Sequence, residues 1–152
     1  MRDPVYRVYP DQPLVLYSGN QFQGSGGTPG NQLEAGSAVF YRISGTSTWS
    51  QIPMQVHGTS GNNQYFRGVI PAGTGAPGQV LEYYFRSPYS DNDLTYIHAS
   101  DPSWYATTLS EGTARANPFR VTIQPPPLPA NPSPPDWRDI TIYQIFTDRF
   151  HD

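Results

Sequence analysis

The sequence contains no cysteine and no lysine. Without Cys there is neither a disulfide framework nor a thiolate zinc site. Every basic residue is Arg; there are 9, set against 12 acidic residues, for a net charge of -3. A weakly acidic chain with only 14% charged residues lacks the basic footprint of a nucleic-acid binder, so no nucleic-acid partner is expected. No apolar run approaches the ~18 residues of a membrane helix, and no membrane partner is expected. No apolar stretch follows Met1-Arg2-Asp3-Pro4, so the start does not read as a signal peptide. Helical periodicity is almost absent from residues 1–124, because Gly and Pro punctuate the chain too often.

What is present is short, β-branched and aromatic. The 152 residues suit one compact domain with a tail. The runs read as strands: Val5–Tyr9, Leu14–Tyr17, Ala38–Ile43, Trp49–Val56, Tyr65–Ile70, Gln79–Ser87 and Phe119–Ile123, with one further short strand near Tyr96. By the two-residue period, Ile52, Met54 and Val56 share one face, and Leu81, Tyr83 and Phe85 point inward. Glu82, Tyr84 and Arg86 then point outward, with Glu82 on the solvent side. Ser18–Gly36 reads as a long polar loop and residues 88–117 as largely loop. The expected fold class is all-β: an immunoglobulin-like β-sandwich of about seven strands over residues 1–124.

Composition then changes. Gln124–Pro135 reads QPPPLPANPSPP, and residues 125–135 form a Pro-rich linker. Pro fixes its own φ and biases the preceding residue toward extended geometry. The stretch predicts a semi-rigid spacer, about 37 Å long if fully extended. Residues 136–152 (DWRDITIYQIFTDRFHD) follow, dense in β-branched and aromatic side chains. They read as a buried strand belonging to a further domain.

That last segment carries a family resemblance. Ile142–Phe150, IYQIFTDRF, closely resembles the first barrel strand of the α-amylase family, glycoside hydrolase family 13. Upstream, VFYR (39–42), Trp49 with Ile52-Pro53-Met54, Val69-Ile70-Pro71, Gly78 and Leu81-Glu82-Tyr83-Tyr84-Phe85 resemble the early-set sandwich that precedes the barrel in many members. The resemblance implies that residues 136–152 are the truncated start of a (β/α)8 catalytic barrel. The sandwich would then be the non-catalytic N-terminal module of an enzyme acting extracellularly on α-glucans. Its partners would be its own catalytic barrel and α-glucan polysaccharide. The family's nucleophilic Asp, acid/base Glu and stabilising Asp lie on later barrel strands. Asp148 and Arg149 would fix the first barrel loop. Asp152 falls where a first structural-calcium ligand would stand in the parent enzyme. Calcium takes six to eight oxygens, so no cofactor is expected for residues 1–152 themselves.

The residues offer little for catalysis. Retaining glycoside hydrolysis uses two carboxyls about 5–5.5 Å apart. Glu34 and Glu111 fall in expected loops and Glu82 on a strand, while Asp91/Asp93 read as a turn. His57, His98 and His151 lack metal-ligand spacing, and no G-x-S-x-G elbow occurs. Sugar binding is the stronger expectation, because pyranose C–H faces pack on aromatic rings while amides and carboxylates meet the hydroxyls. The candidates are Trp49, Trp104, Tyr84, Tyr89 and Tyr96. Trp49, just ahead of a strand, suits covering one end of the sandwich or an interface better than glucan contact. Trp104 equally suits docking on a neighbouring barrel. A purely structural docking or dimerisation domain, and a free-standing recognition module, are the competing readings.

Overall fold

The computed structural model describes residues 7–21, 36–61, 63–88, 94–99 and 106–126. Among them run β1 (Leu14–Gln21), β2 (Ala38–Ile43), β3 (Ser50–Pro53), β4 (Gln55–Ser60), β5 (Asn63–Ile70), β6 (Val80–Pro88), β7 (Leu94–His98), β8 (Ala106–Thr108), α1 (Glu111–Ala116) and β9 (Phe119–Thr122). They form two antiparallel sheets. One has three strands in the order β1-β5-β4. The other has six: β3-β2-β6 continues through β7 to β8, while β9 pairs with the first part of β6. The protein is an all-β sandwich.

The core lies between the sheets. Leu14 and Leu16 from β1 and Phe66 and Ile70 from β5 meet Val39, Leu81, Tyr83, Phe85, Ile97 and Phe119 from the six-stranded sheet. Leu81, Tyr83 and Phe85 point inward as their alternation predicts, each no more than 1% exposed. Tyr83 and Phe85 pack edge to face, with ring centroids 5.9 Å apart. Gly68 of β5 sets the closeness of the two layers. A Cβ there would come within 2.9 Å of Val39 Cγ2 and 3.3 Å of Met54 Cγ.

The expected Trp49–Val56 strand is two strands. β3 pairs with β2 in one sheet and β4 pairs with β5 in the other, and the chain changes sheet at Met54. The break follows Pro53, which has no N–H to give a ladder and can only end an edge strand. Met54 is anchored by donating its N–H to the Ser37 carbonyl at 2.7 Å. The change of sheet resets the side-chain phase. Met54 is buried, but Val56, expected on the same inward face, is 61% exposed.

Three further expectations are corrected. Of the supposed Val5–Tyr9 strand, residues from Arg7 onward make one isolated parallel bridge, Val8 to Ile123. The supposed Ser18–Gly36 loop begins as strand, because β1 pairs with β5 as far as Gln21. The largely loop-like 88–117 segment holds, besides the short strand expected near Tyr96 (β7), a further strand β8 and the helix α1. The helix is only six residues, too short for periodicity to reveal. Its local signals are nevertheless orthodox: Ser110 Oγ caps it by accepting from the Thr113 N–H, Glu111 sits in the first turn and Arg115 in the last.

Candidate carbohydrate-binding face

Strand alternation sends Ala38, Phe40 and Arg42 of β2, Glu82, Tyr84 and Arg86 of β6, and Tyr96 of β7 to the side of the six-stranded sheet facing away from the core. Register aligns them: Phe40 lies opposite Tyr84, Arg42 opposite Glu82, and Glu82 opposite Arg120 of β9. Trp49 joins from the turn before β3. Three of the five sugar-binding candidates, Trp49, Tyr84 and Tyr96, are thereby gathered around one ring. Phe40 stacks on Tyr84 at 4.9 Å with 2° between planes. Trp49 meets the same ring edge-on at 4.9 Å. Tyr96 lies 6.2 Å away, tilted by 51°. Trp104 and Tyr89 lie outside the described residues, as do Tyr105, Trp137, Glu34, Asp91, Asp93, Asp148, Arg149, His151 and Asp152.

The cluster is covered. Tyr84 does point away from the core, but it is 0% exposed, and Tyr96 is only 7% exposed. α1 supplies the cover, packing Ala114 against them. The helix is fastened by polar groups. Tyr84 Oη donates to Glu111 Oε1 at 2.8 Å, and Arg115 donates to Tyr84 Oη at 3.3 Å and to Glu111 Oε1 at 2.8 Å. Burial, opposed by the Arg115 hydrogen bond and reinforced by Glu111, pushes the Tyr84 phenol up to about 12. Burial, helped by the Glu111 charge, also raises Tyr96. Trp49 alone of the three keeps partial exposure, and the Arg42 guanidinium lies 4.4 Å from its ring centroid.

Glu82 corrects a second expectation. It is 1% exposed rather than solvent-facing. Arg42 Nε donates to its Oε2 at 2.7 Å, Ser44 Oγ to its Oε1 at 3.1 Å, and Arg120 Nε to Oε1 at 3.0 Å. Burial disfavours the charge, but the Arg42 and Ser44 hydrogen bonds and the charges of Arg42 and Arg120 outweigh it, holding the carboxyl below its usual range. A carboxylate clamped in this way is suited to fixing three strands, not to donating a proton. His57 is exposed with its ring 5.0 Å from that of Tyr17, and His98 is buried in β7. Among the described residues no three His, Asp or Glu side chains gather to hold a metal ion, and no helix is long and apolar enough to cross a membrane.

Outward alternation is the signal that selects Tyr84. It reports direction, not cover, and the cover comes from a helix the pattern did not reveal. The Glu82 cluster was unreadable because Arg42 and Arg120 lie 40 and 38 residues from it along the chain. Compared with protein-family models and with curated proteins, the sequence finds a match in neither.

Proposed function

We propose that this sandwich is immunoglobulin-like and is the non-catalytic N-terminal accessory module of an α-amylase-family glycoside hydrolase, secreted and acting on α-glucans. The carrying observation is the peptide Ile142–Phe150, IYQIFTDRF, which resembles the family's opening barrel strand and follows a β-sandwich and a Pro-rich linker. The module positions the barrel, and tethering lets any sugar it holds raise the local substrate concentration. The chemistry belongs to the barrel, whose later strands carry the catalytic carboxyls; Asp152 stands where the first calcium ligand of that parent would be. Within the sandwich, the burial of Tyr84 and Tyr96 favours a scaffolding part for those two residues. Trp49 is the one of the three gathered candidates with ring surface left for sugar or barrel.

The gene downstream of codon 152 tests this reading. A following barrel with two Asp and one Glu at the family's catalytic positions is expected, and the joined protein should release reducing sugar from starch while residues 1–152 release none. A gene product without such a barrel overturns the proposal.

A further inference from the structure

The outward side of the other sheet is built differently. On β1, Leu16 and Ser18 are buried, so Tyr17 between them faces away from the core. On β5, Phe66 and Gly68 face inward, so Tyr65 and Arg67 face out with Tyr17. Arg67 is paired with Tyr17 on one side and with Gln55 of β4 on the other. A register shift between Val56 and Gly58 turns His57 to this face, where its ring comes within 5.0 Å of the Tyr17 ring. These two residues belong to the two edge strands, so their rings meet above the middle strand.

Tyr65 is flanked on both sides by glycine: Gly19 on β1 and Gly58 on β4 are its cross-strand partners. A Cβ on Gly19 would come within 2.8 Å of Tyr65 Cδ1, so the ring leans over the β1 backbone instead of standing among side chains. Beside it, a Cβ on Gly58 would meet nothing within 4 Å. No helix covers this sheet among the described residues. Tyr17 and Tyr65 are half-buried, and His57, Arg67 and Gln55 are exposed.

We infer that this face, centred on Tyr17, His57 and Tyr65, is the module's binding platform for a neutral oligosaccharide, an α-1,4-glucan on the reading given under Proposed function, on which this assignment rests. The match is one of shape and polarity. Rings leaning on a sheet offer flat apolar surface to pyranose C–H faces. Arg67 and Gln55 stand beside them as directed hydrogen-bonding groups, and the Arg67 guanidinium has no hydrogen-bond or ion-pair partner among the described residues. Arg67 carries the only full charge among the described side chains of the face, so the site fits a hydroxyl-rich neutral chain better than a polyanion. The gap beside Gly58 leaves room for a sugar next to Tyr65 where another residue type would fill it.

The test is titration of the 152-residue chain with maltoheptaose and, separately, cellohexaose, by calorimetry and by amide chemical shifts. Maltoheptaose should perturb the amides of Tyr17, His57, Gly58, Tyr65 and Arg67 and leave those around Trp49 still. Tyr65→Ala should weaken binding by about five-fold or more, and Tyr65→Phe should preserve it, because the ring face makes the contact. Gly58→Gln fills open space without touching the core and should also weaken binding, which keeps the test valid if Tyr65→Ala fails to fold. Binding lost in Trp49→Ala but kept in Tyr65→Ala and Gly58→Gln overturns the platform and leaves the accessory-module reading standing. No binding of either sugar overturns the platform too, and the downstream gene then judges the module reading alone. Tyr65-dependent binding of cellohexaose without maltoheptaose overturns the α-glucan assignment.

Discussion

The outward faces of the two sheets carry similar side chains and have opposite fates. On the six-stranded sheet, Phe40, Tyr84 and Tyr96 lie under α1, and the charges beside them are tied in the Arg42–Glu82–Arg120 cluster. On the three-stranded sheet, no helix among the described residues covers Tyr17, His57 and Tyr65, and the Arg67 side chain has no hydrogen-bond or ion-pair partner among those residues. An aromatic residue at an outward strand position is therefore not yet a binding residue. A buried aromatic cluster with its polar tips satisfied stabilises the fold. A similar set of rings without cover keeps its surface for a ligand.

The largest expected contrast lies in charge removal. Glu82→Ala leaves Arg42 and Arg120 facing an empty, largely buried site and should cost about 2–4 kcal/mol of unfolding free energy, measured by urea denaturation. Arg67→Ala on the opposite face should change stability by no more than about 0.5 kcal/mol. Equal effects would erase the distinction between the faces.

The acid limb of stability comes next. Glu82 is lowered in the folded protein from its ordinary value of 4.5. Its contribution is complete above that ordinary value and drains away as pH falls through the lower folded value. Urea midpoints followed downward from pH 5 should decline, and Glu82→Gln should flatten part of that decline.

Tyr84→Phe should cost about 1 kcal/mol, since it removes the hydrogen bonds to Glu111 and Arg115 while both partners keep each other and some solvent. The same phenol governs the alkaline limb. Its pKa rises from 10.0 to about 12 on folding, so its stabilisation holds below pH 10 and is lost between those values. Thermal melts across this range should show a decline that Tyr84→Phe reduces. Tyr17→Ala, on the three-stranded sheet, should be felt in sugar titration more than in melting temperature.

Legibility followed the range of the interaction. Leu81, Tyr83 and Phe85 could be placed inward from the sequence because alternation along one strand is local. The split of Trp49–Val56 was less visible: Pro53 marked it, but only pairing partners show that β3 and β4 belong to different sheets. Tyr84 was read correctly for direction and wrongly for exposure. Its cover, α1, is a six-residue helix recognisable only by Ser110, Glu111 and Arg115. Tyr17 and Tyr65 drew no notice because Gly19 and Gly58 acquire meaning only as neighbours across the register.

The sequence by itself determined a β-rich chain, the inward face of its central strand and the change of composition at the Pro-rich stretch 125–135. These follow from two-residue periodicity, turn chemistry and the fixed φ of proline, each expressed within a few residues. Tertiary structure alone decided which outward aromatics α1 covers and which arginines close on Glu82. Those outcomes depend on strand register and on a helix packing across the sheet, which join residues tens of positions apart.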